Sequence, residues 1–175
     1  MVSIKFLRTH TLFGGISDEK LKVARNFLVE KHFKEDQEIF QEGQSGDDLF
    51  LIYSGSVEIL KSVPSSGGRI KERIAVLGEG HTFGEMELID VQPRSATIRA
   101  LEKTTVFSLS NRALYHIEQW DLETFTLIIL NLAREISRRL RKMDALVASF
   151  VFSDIDKKDK STTQLLSNSF TLNKK

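Results

Sequence analysis

The sequence predicts an α+β domain with an antiparallel β-sandwich or jelly roll at its centre and helices at both ends. Three observations lead there. Between Phe33 and Leu109, short runs rich in Ile, Val, Phe and Leu alternate with clusters of turn residues. On either side of that region the apolar residues recur at helical spacing instead. Finally, 41% of the 175 residues are hydrophobic, which suits one domain of ordinary size with a real core.

At the N-terminal end, Leu12-Phe13-Gly14-Gly15-Ile16-Ser17 leads into Asp18-Glu19 and an apolar stripe at Leu21, Ala24, Phe27 and Leu28. Ser17 is an N-cap and the two acids sit in the first turn, so a helix is expected over about 17–31. Strands are expected at 38–41, 49–53, 57–63, 69–77, 95–101 and 104–109. Turns separate them at Asp36-Gln37, 43–48, Ser54-Gly55, 64–68, 78–80 and Glu102-Lys103. Arg69, Lys71 and Arg73 alternate along the return arm of the longest hairpin, which makes that face a solvated one.

Ser110 caps a helix over about 111–119, and Asp121 caps a longer one over about 122–150. Along the second helix, Ile129, Leu132, Ile136, Leu140, Met143, Val147 and Phe150 form one stripe of about six turns. Arg134, Arg138, Arg141 and Lys142 lie on the opposite side. So long a stripe exceeds what packing on one domain needs, and a homodimer through the helix about 122–150, or a downstream protein partner, is expected. From 151 to 175 the composition shifts to Ser, Thr, Asn, Asp and Lys, which reads as a mobile polar tail after a domain over 1–150.

Several function classes drop out on bulk properties. Lys+Arg 25 against Asp+Glu 24 leaves a net charge of +1, which argues against nucleic acid. The roughly 25 residues after Phe150 are too few and too polar for a helix-turn-helix, so no DNA contact is expected. No apolar run approaches the roughly 20 residues of a membrane span, and the N-terminus lacks a secretory core. With zero cysteines, a soluble cytoplasmic protein is expected. His10, His32, His81 and His116 show no metal-ligand pairing, and no Ser–His–Asp set can be assembled, so no metal, no cofactor and no catalysis are expected.

The stretch that carries chemistry is Phe83-Gly84-Glu85-Met86-Glu87-Leu88-Ile89-Asp90-Val91-Gln92-Pro93-Arg94-Ser95-Ala96-Thr97. Pro93 limits the apolar run before it to one short helix, whose first N–H groups have no intrahelical partner and favour an anion. Read as a strand, Arg94, Ala96, Ile98 and Ala100 share the inward face. A guanidinium there requires an anion, either Glu85 or one from outside. An arginine, free N–H groups and a carboxylate together suit a ligand with a phosphate and a hydroxyl.

This stretch resembles the phosphate-binding cassette of cyclic nucleotide-binding domains, in which F-G-E, a short helix and P-R-[ST]-A-T occur in this order. The frame Gly43, Asp48-Leu49-Phe50 and Gly55-Ser56-Val57, together with Leu12-Phe13 and Ile16 to Glu19, resembles the same family, so the likeness covers about residues 10–150. It implies an antiparallel β-roll, a jelly-roll-like double-stranded β-helix, over about 33–109, with an N-terminal helix and C-terminal B and C helices. It also implies a non-catalytic regulatory sensor in signal transduction whose ligand is cAMP or possibly cGMP, coupled to movement of the C-terminal helix. By the resemblance, Arg94 binds the cyclic phosphate with Ser95, Ala96 and the backbone of Met86, Glu87 and Leu88. Glu85 and Gly84 bind the ribose. Ile59, Ile74 and Leu77 on the roll, and Arg139, Met143 and Asp144 on the helix, fall where the family holds the base. An Asp144 acceptor favours adenine, and Ser95 only partly mimics the threonine of cGMP-selective members, so cAMP is the expected ligand.

Glu87 departs from the pattern, since the family usually has a small residue there. Its side chain is expected either to point to solvent from the outer face of the short helix or to repel the ligand. In the second case the chain is an interaction domain that has lost nucleotide binding.

Overall fold

A computed structural model describes the backbone of residues 1–90 and 92–171, and the side chains of residues 1–90 and 92–150. The chain falls into two units, Met1–Leu132 and Ala133–Lys175. The first opens with helix α1 (Ile4–Thr9), capped by the Ser3 hydroxyl, and helix α2 (Asp18–Ala24), capped by Ser17. Eight strands follow: β1 (Val29–Phe33), β2 (Glu38–Phe40), β3 (Asp48–Ser54), β4 (Ser56–Ser65), β5 (Gly68–Gly78), β6 (Thr82–Phe83), β7 (Thr97–Ala100) and β8 (Thr104–Ser110). Helix α3 (Glu85–Asp90) interrupts them between β6 and β7.

The architecture departs from the expected closed β-roll. The strands form two separate four-stranded antiparallel sheets, ordered β1-β8-β3-β6 and β2-β7-β4-β5. Closure would need a strand laddered into both sheets, and every ladder joins strands of the same sheet. The strands that might have bridged are too short. β6 contributes only the pairs Phe50↔Phe83 and Leu51↔Thr82, and β2 only Glu38↔Arg99 and Phe40↔Ile98.

The two sheets meet through one apolar cluster. Phe50, Ile52, Phe83 and Val106 come from the first sheet, and Phe40, Val57 and Ile98 from the second. Phe50 and Phe83 stack at 5.0 Å between centroids, with Phe40 tilted against both. This aromatic trio is the floor of the site described below. At the outer edge of the second sheet, β5 carries exposed Arg69, Lys71, Glu72 and Arg73, charges that oppose edge-to-edge pairing with another sheet.

The helix expected over about 17–31 ends earlier. After Ala24 a single 3₁₀ turn, Arg25–Phe27, passes the chain to β1, whose ladder with β8 runs from Val29↔Ser108 to Phe33↔Thr104. Helix α4 (Asn111–Trp120) starts on the Ser110 hydroxyl, which accepts from Ala113 N at 3.1 Å. Helix α5 (Leu122–Thr171) starts on Asp121, whose carboxylate accepts from Thr124 N at 3.0 Å. Lys20, 2.7 Å away, and the Thr124 donors hold the Asp121 carboxyl down to about 2. Within the first unit, α5 buries Thr124, Ile128 and Leu132, and Asn131 Nδ2 donates to the carbonyls of Leu12 and Gly14.

In the second unit, α5 exposes Leu140, Met143, Leu146, Val147 and Phe150, while Glu135 pairs with Arg138 and Arg139. The tail expected to be mobile begins inside this helix, whose backbone continues to Thr171; residues 172–175 lie outside the described residues. No helix among the described residues is long and apolar enough to cross a membrane.

Candidate functional site

The site is built where the chain leaves β6. Gly84 has φ +76, a left-handed conformation that L side chains rarely adopt, and it turns the chain into α3. A Cβ on Gly84 would lie 2.8 Å from Arg94 Nη1 and 2.8 Å from the Asp48 carbonyl oxygen. The bare backbone is therefore what lets the arginine approach.

Arg94 is held from both ends. Its backbone donates to Gln44 O at 2.9 Å and accepts from Gly43 N at 2.8 Å, so its position is tied to the turn between β2 and β3. Its guanidinium lies over the Phe40 ring at 4.1 Å and near Phe50 at 5.7 Å. Cation–π attraction of this kind compensates part of the lost hydration. Gly46 covers another side: a Cβ there would meet Nη2 at 2.7 Å and Nε at 2.8 Å. Nη1 donates to the Asp48 carbonyl at 2.9 Å and to Glu87 Oε2 at 3.2 Å. Among the described residues, the buried Arg94 Nε has no hydrogen-bond partner.

Glu87 is the unexpected member. Its side chain is 3% exposed, as is that of Arg94, and its second oxygen accepts from Ser95 N at 2.9 Å. The first expectation for it is corrected: it does not face solvent but pairs with Arg94. The reason is electrostatic. A buried guanidinium demands a charge partner, and that demand outweighs the preference of apolar side chains for the interior. Helix α3 accordingly buries Glu85, Glu87 and Leu88 and exposes Met86 and Ile89, at 52% and 55%.

Other expected residues are placed as follows. Ser95 is exposed, its hydroxyl near Met86 Sδ and its carbonyl accepting from Lys61 Nζ. Lys61 also pairs with Glu42 at 2.7 Å and, with the Ser62 donors, holds that carboxyl down to about 2. Ala96 is buried, and Ile59 pairs with Ile98 across the β4–β7 ladder. Ile59 and Leu77 pack against the core cluster, whereas Ile74 is 60% exposed on β5. Arg139, Met143 and Asp144 belong to the second unit.

Sequence reasoning did not identify Phe40, Phe50, Gly46 or the Asp48 carbonyl as the arginine's surroundings. The glycines of 43–48 look like turn formers, and only their repetition beside an inward arginine hints at a close approach. A hollow of about 480 Å³, lined by Ser45, Gly46, Asp47, Gln92 and Pro93, shares Gly46 with the arginine's wall; none of the expected base-lining residues borders it. No group of acids and histidines among the described residues could hold a metal ion.

A family model described as a cyclic nucleotide-binding domain matches residues 30–119. The Cyclic AMP receptor protein of Thermus thermophilus is 32% identical over 133 residues, covering 76% of this chain and 58% of that protein. The cGMP-dependent protein kinase of Toxoplasma gondii is 36% identical over 110 residues, covering 63% of this chain and 10% of the kinase. Among solved structures, a cyclic nucleotide-binding domain from Methylobacillus flagellatus KT superposes with TM-score 0.71 at 29% identity, covering 79% of this chain and 76% of that one. The chain thus spans less than two thirds of the length of either curated relative.

Proposed function

Because the chain belongs to the cyclic nucleotide-binding domain family, we propose that it is a cytoplasmic cAMP sensor, non-catalytic, that couples ligand binding to movement of its C-terminal helix. The observation that carries this is Arg94, a buried guanidinium whose Nε–H has no partner among the described residues. A cyclic phosphate brings one negative charge and several acceptor oxygens, so it suits such a donor. Ser95, Ala96 and the backbone of Met86, Glu87 and Leu88 complete the phosphate cradle. Glu85 accepts from the ribose 2′-hydroxyl beside Gly84, and Ile59, Ile74 and Leu77 offer apolar surface to the base. The names of the relatives include both cAMP and cGMP, so the choice of adenine rests on Ser95 and Asp144.

Calorimetric titration with cAMP and cGMP, on wild type and Arg94→Ala, tests the proposal. Binding of cAMP tighter than cGMP, weakened in Arg94→Ala by at least about tenfold, is expected from the loss of a charged hydrogen bond worth about 1.5–3 kcal/mol. Equal affinity in wild type and variant would remove the cassette assignment.

The exposed apolar residues of α5 from Leu140 to Phe150 support a homodimer as the working assembly. Light scattering should then find Ile136→Asp monomeric and wild type dimeric; a dimer in both would place the interface elsewhere. A second reading, an interaction domain without a nucleotide, is favoured by one observation: Glu87 already occupies Arg94 and the Ser95 N–H.

A further inference from the structure

Glu87 takes two donors that a ligand phosphate would use, the Arg94 guanidinium at 3.2 Å and the Ser95 N–H at 2.9 Å. Both of its carboxylate oxygens are committed, one to each. The substitution is nonetheless incomplete, since Arg94 Nε stays buried without a partner. The helix that carries Glu87 is also seated against its own polarity. Two acids of α3 are inside, while Met86 and Ile89 stand in solvent at 52% and 55% exposure. The charge of Arg94 accounts for the buried acid, and the exposure of Met86 and Ile89 is what that pairing costs the helix. An arrangement of this kind relaxes if another anion takes over the arginine, because the acid can then leave and the apolar residues can turn in.

We propose that Glu87 is a built-in anion that fills the phosphate seat and must be expelled by an incoming ligand phosphate. It thereby sets the affinity of the site and the threshold at which the protein responds. The proposal rests on the cyclic nucleotide reading for the identity of the ligand, but not for the presence of an anion seat. The apparent affinity is the intrinsic affinity reduced by the fraction of molecules in which Glu87 is out. Removing the carboxylate removes that reduction.

The test compares wild type, Glu87→Ala, Glu87→Gln and the double variant Glu87→Ala/Arg94→Ala. In calorimetric titration with cAMP, Glu87→Ala is expected to bind about tenfold or more tightly than wild type, as for a seat open in less than about one molecule in ten. Glu87→Gln, which keeps an acceptor for Ser95 N–H but no charge, should fall between them, and the double variant should not bind. Where wild type binds cAMP, Glu87→Ala binding no better than wild type overturns the proposal. If Glu87→Ala does not fold, the nearly isosteric Glu87→Gln decides by the same comparison. A parallel arm uses inorganic phosphate and reads the melting temperature. A larger phosphate-induced rise in Glu87→Ala or Glu87→Gln than in wild type, absent from the double variant, supports the seat even if no variant binds a nucleotide. That combination would remove the cyclic nucleotide reading alone. Equal rises in all the proteins, with no gain in nucleotide affinity, overturn the built-in anion.

Discussion

Arg94→Ala is expected to lower the melting temperature of the ligand-free protein by on the order of 10 °C, and the double variant Arg94→Ala/Glu87→Ala to recover much of that loss. The arginine is a structural group whatever it binds. Removing it leaves the Glu87 carboxylate buried with only Ser95 N–H to satisfy it. Breaking one side of a buried ion pair costs about 3–5 kcal/mol, most of it the penalty of the charge left behind. For a chain of this size each kcal/mol moves the transition by about 2–4 °C. Taking out both partners removes the stranded charge, leaving the loss of packing on Phe40 and of the bond to the Asp48 carbonyl. The measurement is a four-protein cycle of thermal or denaturant melts. Losses that add within about 0.5 kcal/mol would show that the two side chains do not depend on each other.

Gly84→Ala is expected to destabilise the fold by about 3 kcal/mol or more and to abolish cyclic nucleotide binding at the same time. The left-handed backbone alone costs an alanine about 1–2 kcal/mol. The added carbon would also press on the Asp48 carbonyl oxygen and Arg94 Nη1, both at 2.8 Å. The carbonyl is backbone and cannot give way, so the guanidinium is the group that moves. Gly43→Ala is the control, because Gly43 shares the positive φ, at +83, but a Cβ there meets nothing within 4 Å. Melts and titrations on both variants separate the two contributions. Equal behaviour would mean that backbone strain accounts for everything and that the close approach to Arg94 is immaterial.

The short helix and the buried arginine of residues 83–97 were legible because their constraints are local. Proline limits the short helix, the order Gly-Glu…Pro-Arg-Ser-Ala is read directly, and Arg94 is buried with Ala96 and Ile98 as alternation expects, although the strand starts only at Thr97, itself buried. The seating of Glu87 was not legible. On a helix of barely more than one turn, periodicity cannot say which side faces in, and Met86, Leu88 and Ile89 point to the wrong answer. Only Leu88 goes inside, because the charge of Arg94 claims the adjacent position for Glu87.

The same distinction runs through the fold. Turn residues mark the β4–β5 hairpin, whose strands are consecutive. Pairing of β1 with β8 and of β2 with β7 joins segments far apart in the chain, and nothing in a local pattern records it. That is why Val29–Lys31 reads as the end of a helix until β8 lies beside it, and why the strand pattern alone does not choose between an open sandwich and a closed roll.

The bond from Arg94 to the Asp48 carbonyl spans 46 residues of chain, and the backbone bonds to Gly43 and Gln44 close a loop of similar size. Loop closure on that scale carries an entropic cost that must be met before the contact exists. The proposed anion seat is therefore absent from any partly folded chain in which the 43–48 turn has not met Arg94. A ligand that requires the seat binds the native state alone. Its binding free energy would add to that of the cooperative unfolding of the first unit, and would slow amide exchange in core strands remote from the ligand as well as in those near it.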